Sequence, residues 1–145
     1  MSNISSFDEY AGRVFALLYD SFPIPIDLTI GDVLDQQDLY MQHGLPAEFN
    51  TECEIGACTV QWLADAGYLN MHSSNGNDFF KLVLTEKGLE VMKAIPGIIN
   101  SESQPLGKQI STALKTGTKE TLKLLTNQAL AIGVKIAVHK LGFTD

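Results

Sequence analysis

Apolar residues recur at helical spacing from Phe7 through Ala11, Val14, Phe15, Leu18 and Phe22, and Ser6-Phe7-Asp8-Glu9 ahead of them has the form of a capping box. A first helix is therefore expected from about Phe7 to Ser21, with Pro23 and Pro25 ending it. Ile26 to Thr29 reads as extended, Ile30 to Gln37 as a short helix turning Val33 and Leu34 inward, and Asp38 to Phe49 as an irregular insertion. The next helix is placed at Glu52 to Ala66, capped by Asn50 or Thr51 and stopped by Gly67. Its wheel puts Ile55, Cys58, Thr59, Trp62, Leu63 and Ala66 on the inner side and Ala57, Gln61, Ala64 and Asp65 on the outer one.

Alternation then replaces helical spacing. Tyr68 to Met71 and Phe79 to Leu84 read as two strands around a polar loop, His72 to Asp78, with an Asn75-Gly76 turn. Thr85 caps a helix through Ile95 that Pro96-Gly97 stops. Ile98 to Gly107 is rich in Asn, Ser, Gln, Pro and Gly and reads as a linker. From Lys108 to about Leu141 the pattern predicts one long helix or two broken near Gly117. The first half is amphipathic, with Ile110, Leu114, Thr121 and Leu125 on one face; Ala129 to Val138 is apolar nearly all round and needs a cover. The expected organisation is a domain over residues 1–97, a linker over 98–107 and a helical packing or oligomerisation segment over 108–145.

At 145 residues and 45% hydrophobic, the chain can bury a sizeable core without disulfides or a structural metal. The net charge of −7 is unevenly spread. Residues 1–80 carry Arg13 as their one basic side chain against 12 acids, a balance of −11; residues 81–145 carry nine lysines against five acids, a balance of +4. The front half should repel polyanions and the back half mildly attract them. Met1-Ser2-Asn3-Ile4-Ser5-Ser6 lacks the pattern of a secretory signal, so Cys53 and Cys58 are expected as reduced thiols in a cytoplasm. Ala129 to Val138 falls well short of the roughly 20 residues that span a bilayer.

The candidate chemistry is sparse. His43, Cys53, Cys58 and His72 lack the spacing of a zinc site, and Asp27, Asp32, Asp35 and Asp38 lack that of a calcium loop, so the latter read as a solvated face. Phe7, Phe15, Phe22 and Trp62 read as a core cluster. No nucleophile elbow, phosphate loop, catalytic carboxylate pair or nucleotide fingerprint is present. The expectation is a non-catalytic protein with no metal and no cofactor.

Two stretches, Trp62-Leu63-Ala64-Asp65-Ala66-Gly67-Tyr68-Leu69 and Phe80-Lys81-Leu82-Val83-Leu84-Thr85-Glu86-Lys87-Gly88, resemble the winged helix-turn-helix domains of bacterial MarR-like and PadR-like regulators. The resemblance covers about residues 7–96 and implies a mainly α, α+β fold: a winged helix with a two-stranded wing, followed by a C-terminal helix. It implies that the helix Glu52 to Ala66 is a recognition helix with Ala57, Gln61, Ala64 and Asp65 outward. It also implies a wing tip of His72, Ser73, Ser74, Asn75 and Asn77 that would approach DNA. Neither set contains a cation that is permanent at neutral pH, whereas lysine and arginine against phosphate supply most nucleic-acid affinity. The leading expectation is thus a regulatory or adaptor protein that binds another protein through an acidic surface. The alternative is a dimeric DNA-binding transcription regulator using Lys81, Lys87, Lys115 and Lys119. The C-terminal helix, with Leu125, Ile132 and Ile136 and the small residues Ala129, Ala131, Gly133 and Ala137, is expected to dock or form a homodimer. A different protein comes second as its cover, and a membrane surface last.

Overall fold

The computed structural model of the protein describes residues 2–95 and 104–140, apart from the side chains of His43, His139 and Lys140. Helix α1 (Asn3–Ser21) starts a turn before the apolar pattern does. Ser2 takes the capping role, its Oγ accepting from the Ser5 N–H at 3.1 Å. Ser6 is thereby drawn into the helix, where its hydroxyl is buried without a partner. A serine one turn upstream caps equally well, and the longer helix gains backbone hydrogen bonds. Every residue of α1 from Asp8 to Ala16 is buried, so this helix must be covered on all sides.

Strand β1 (Ile26–Thr29) leads into α2 (Ile30–Leu34), whose start is a capping box between Thr29 and Asp32. The helix stops short of the expected Gln37 because Asp35 takes a left-handed conformation, φ 60°. The segment expected to be irregular contains α3 (Gln37–His43) and a 3-10 turn over Ala47–Phe49. Only a few apolar side chains, among them Tyr40, Leu45 and Phe49, pack it on the core, too few to produce a period in sequence. Helix α4 (Asn50–Asp65) grows directly from that turn without a side-chain cap. It ends where Gly67 adopts φ 89° and the Tyr68 N–H returns to the Leu63 carbonyl at 2.9 Å.

Strands β2 (Leu69–Asn70), β3 (Ser73–Ser74) and β4 (Asp78–Leu84) follow, and β4 pairs antiparallel with each of the others. Part of the expected polar loop is therefore strand, and the turn itself is tight: the Asn75 N–H donates to the Asp78 carbonyl at 3.0 Å, with Gly76 at φ 90°. Between the pairs Ile26↔Leu82 and Leu28↔Phe79 the strand β4 holds one extra residue. Lys81 absorbs this bulge at φ 60°, and the Asp27 carboxylate accepts its N–H at 2.9 Å. The acidic run is thus more than a solvated face, because Asp27, Asp32 and Asp35 each satisfy or shape local backbone.

Helix α5 (Glu86–Lys93) is capped by Thr85, whose Oγ1 accepts from the Gly88 N–H at 3.0 Å. The expected linker falls mostly outside the described residues; Leu106 and Gly107 already belong to α6 (Leu106–Thr116). Helix α7 (Lys119–Lys140) restarts after Gly117, with Thr118 Oγ1 accepting from the Thr121 N–H at 3.2 Å. The break resets the helical phase. Thr121 is therefore exposed instead of inward, while Leu122, Leu125 and Ala129 are buried.

Helices α4, α6 and α7 all pack on α1, and one core runs through both halves of the chain, from Phe15, Leu63 and Leu82 to Leu106, Ile110 and Ala129. Gly12 makes the α1–α7 crossing close: a side chain there would collide with Thr126 and Leu122. Among the described residues no helix is long and apolar enough to cross a membrane.

Candidate functional site

The buried stripe of α4 is Gly56, Thr59, Val60 and Leu63. Thr59 and Leu63 lie inward as expected, but the stripe is turned toward Gly56 and Val60, because α4 packs on α2 as well as α1 and Gly56 admits the side chains of Leu34 and Ile30. Ile55 is left half-buried and Cys58 and Trp62 exposed. Trp62, expected in the core, keeps 47% of its surface open to solvent. Of the four aromatics expected there, only Phe15 is fully buried.

These α4 residues form one wall of an open groove of about 590 Å³, and Ile4 and Phe7 of α1 line the other. Ile4 is 71% exposed. The Phe7 ring meets Trp62 edge-on at 5.3 Å and 87°; Trp62 stacks on Tyr68 at 6.2 Å and 22°; Tyr68 meets Phe15 edge-on at 5.5 Å and 82°. An aromatic chain thus anchors the exposed indole to the core, so Trp62 is half-open and still held in place. Thr59 Oγ1, in the groove floor, donates to the Ile55 carbonyl at 2.7 Å and is left with no unmet donor. Glu54 stands at the rim, and Glu48 and Asp65 are also exposed.

Gln61 and Asp65 are exposed and bonded to each other, Nε2 to Oδ1 at 2.9 Å, while Ala57 and Ala64 are half-buried against the core. His72, Ser73, Ser74, Asn75 and Asn77 are all exposed at the hairpin tip. Lys81 is exposed on the bulge. Lys87 has an internal partner: its Nζ donates to the Ala66 carbonyl at 2.9 Å and sits 4.4 Å from the Tyr68 ring centre, completing the C-terminus of α4. Lys115 pairs with Asp20 and Lys119 with Glu9 of α1, each at 3.5 Å, and both lysine side chains stay about two-thirds exposed, 66% and 68%. Leu125 is 8% exposed inside the chain's own core, and Ile132 and Ile136 are half-buried against it.

Arg13 is also taken up internally. It is 7% exposed, donates from Nε and Nη2 to the Asp32 carbonyl at 3.3 and 3.1 Å, and pairs with Asp35 at 3.4 Å. The one arginine or lysine of the first 80 residues is therefore absent from the surface. The flank of α4 that lines the groove is mainly apolar, through Ile55, Cys58 and Trp62, with Glu54 as its acid.

The two thiols differ. Cys58 is exposed, while Cys53 is half-buried and its thiol is pushed up, first by burial and then by the charge of Glu52. A raised pKa lowers the thiolate fraction at any given pH. A disulfide reagent near pH 8 should therefore consume one thiol at least about tenfold faster than the other. Cys58→Ser should abolish the fast phase; a fast phase surviving in that variant would contradict the assignment. Tyr10 is likewise pushed above its ordinary value, by burial and by its hydrogen bond to Glu52. Among the described residues no group of three or more His, Cys, Asp or Glu side chains is arranged to hold a metal ion.

Compared with known proteins, the chain matches no family model, no curated protein sequence and no solved structure.

Proposed function

We propose that residues 3–93 are a winged helix used for binding protein, and that the chain is a non-catalytic adaptor or regulator. The winged-helix reading is supported by the order of elements and by the sheet order β1-β4-β2, in which the strand after the first helix pairs with the last strand of the hairpin. The observation that carries the functional reading is the outward flank of α4. Where a DNA-reading helix would present lysine and arginine, this one presents Ile55, Cys58 and Trp62 beside Glu54, and Arg13 is buried. Such a surface repels phosphate and gains by covering apolar area.

Fluorescence anisotropy with random duplex DNA tests this against the alternative, a dimeric DNA-binding regulator that would draw on Lys81 and Lys87 by the wing and on the C-terminal Lys115 and Lys119. The expected result is no saturable binding at protein concentrations up to about 10 μM in roughly 50 mM salt, conditions in which phosphate-contacting proteins bind non-specifically. Micromolar binding that weakens steeply with added salt would overturn the proposal.

A further inference from the structure

The groove between α1 and α4 also constrains its occupant. Thr51, Ile55, Cys58 and Trp62 occur at steps of three and four along α4, so this wall runs for three turns, roughly 17 Å. Beyond the first turn of α1 the backbone groups of the walls are bonded within their helices, and helical walls offer no strand edge for an extended peptide. The floor hydroxyl, Thr59, is satisfied within α4, and a small polar ligand would find few convergent polar groups to orient it. An elongated apolar trough bounded by two helices suits a third helix, laid in through side chains at i, i+3, i+4 and i+7.

Charge selects which helix. Glu54 is on the rim, Glu48 and Asp65 are exposed nearby in the chain, and residues 1–80 sum to −11 with Arg13 buried. Lys87 and Lys123 are engaged within the fold, on the Ala66 carbonyl and on Ser5 Oγ and Glu120, and Lys135 of α7 is exposed, so the acidic surplus on this side rests on the residues of α1 to α4. A second copy meeting this face with the same face would set acid against acid. We infer that the groove receives an amphipathic helix of a partner protein whose apolar stripe is flanked by lysine or arginine. This rests on the protein-binding reading above and names the chemistry of the partner.

Trp62 is the only tryptophan of the chain and lies in the groove, so its fluorescence reports occupancy directly. The probes are three helical peptides of about four turns: a leucine stripe flanked by lysine, the same stripe flanked by glutamate, and the lysine composition scrambled to destroy the stripe. With the full chain, the lysine-flanked amphipathic peptide should shift Trp62 emission to the blue, saturate in the micromolar range and slow alkylation of Cys58. Its affinity should exceed that of the glutamate-flanked peptide at least tenfold in low salt, and the scrambled peptide should not bind. Ile4→Ser, at a position 71% exposed, should weaken the lysine-flanked peptide severalfold with an unchanged thermal midpoint. Equal affinity for the two charge versions overturns the inference while leaving protein binding intact, as does a Trp62 shift that tracks protein concentration and self-association without peptide. No shift with any peptide overturns it as well. The protein-binding reading itself fails only if duplex DNA binds in the anisotropy experiment.

Discussion

Gly88→Ala should lower stability by about 2–3 kcal/mol, a drop in thermal midpoint on the order of 10 °C for a chain of this size. A Cβ at this position would lie well inside contact distance of the Tyr68 carbonyl oxygen and 3.1 Å from Leu84 Cδ2. The first obstacle is backbone, which cannot swing aside as a flexible side chain would. The Tyr68 carbonyl is further fixed by accepting the Thr85 N–H at 3.1 Å, so α5 must move as a unit away from β2. Alanine's better helix propensity returns about 1 kcal/mol, and the net effect stays unfavourable. The substitution reaches the proposed site, because the Tyr68 ring supports Trp62. Thermal unfolding followed by circular dichroism measures the first effect and Trp62 emission the second. An unchanged midpoint would mean that α5 does not approach Tyr68 as described.

Arg13→Met should cost a further large amount, about 2–3 kcal/mol, read as a lower urea midpoint with an unchanged slope. Most of that cost lies in the two hydrogen bonds from the buried guanidinium to the Asp32 carbonyl, which lose a charged donor inside the fold. The ion pair contributes less, since Asp35 is 60% exposed and screened by water. Arg13→Lys should recover only part of the loss, because a single ammonium cannot reproduce the paired Nε and Nη2 geometry. Full recovery by lysine would show that charge alone, and not the fork, holds the end of α2. Removing the one cation among so many front-half acids should also make the variant more strongly stabilised by added salt than the parent chain.

The long elements were legible where many apolar positions repeat. The pattern over Phe7 to Phe22 locates α1, and Thr85 and Gly67 mark helix ends where the structure has them. The small helix α3 is not legible, because Tyr40 alone of its apolar side chains packs on the core, which leaves no period, and its chain looks like a loop until its neighbours are present. The face of α4 is legible in part, at Thr59 and Leu63 inward and Gln61 and Asp65 outward, and fails at Cys58 and Trp62 for a related reason. A helical wheel shows which residues share a side, but the choice between two adjoining sides falls to Gly56, which lets α2 approach and turns Trp62 outward. The groove followed from that rotation and had no signal of its own in the chain, although the surplus of acid around it did. Arg13 likewise looks like an ordinary surface cation in sequence, and only the left-handed turn at Asp35 and the open end of α2 show why it is buried.

Quenching of Trp62 fluorescence by small ions tests most directly whether the flank of α4 that lines the groove is both open and acidic in its surroundings. Each quencher is referred to its effect on free N-acetyltryptophanamide. Caesium should then be relatively more effective than iodide, by roughly twofold or more in low salt, with the difference fading as ionic strength rises. An indole that neither ion reaches, or one that iodide quenches at least as well as caesium on that scale, would contradict the account.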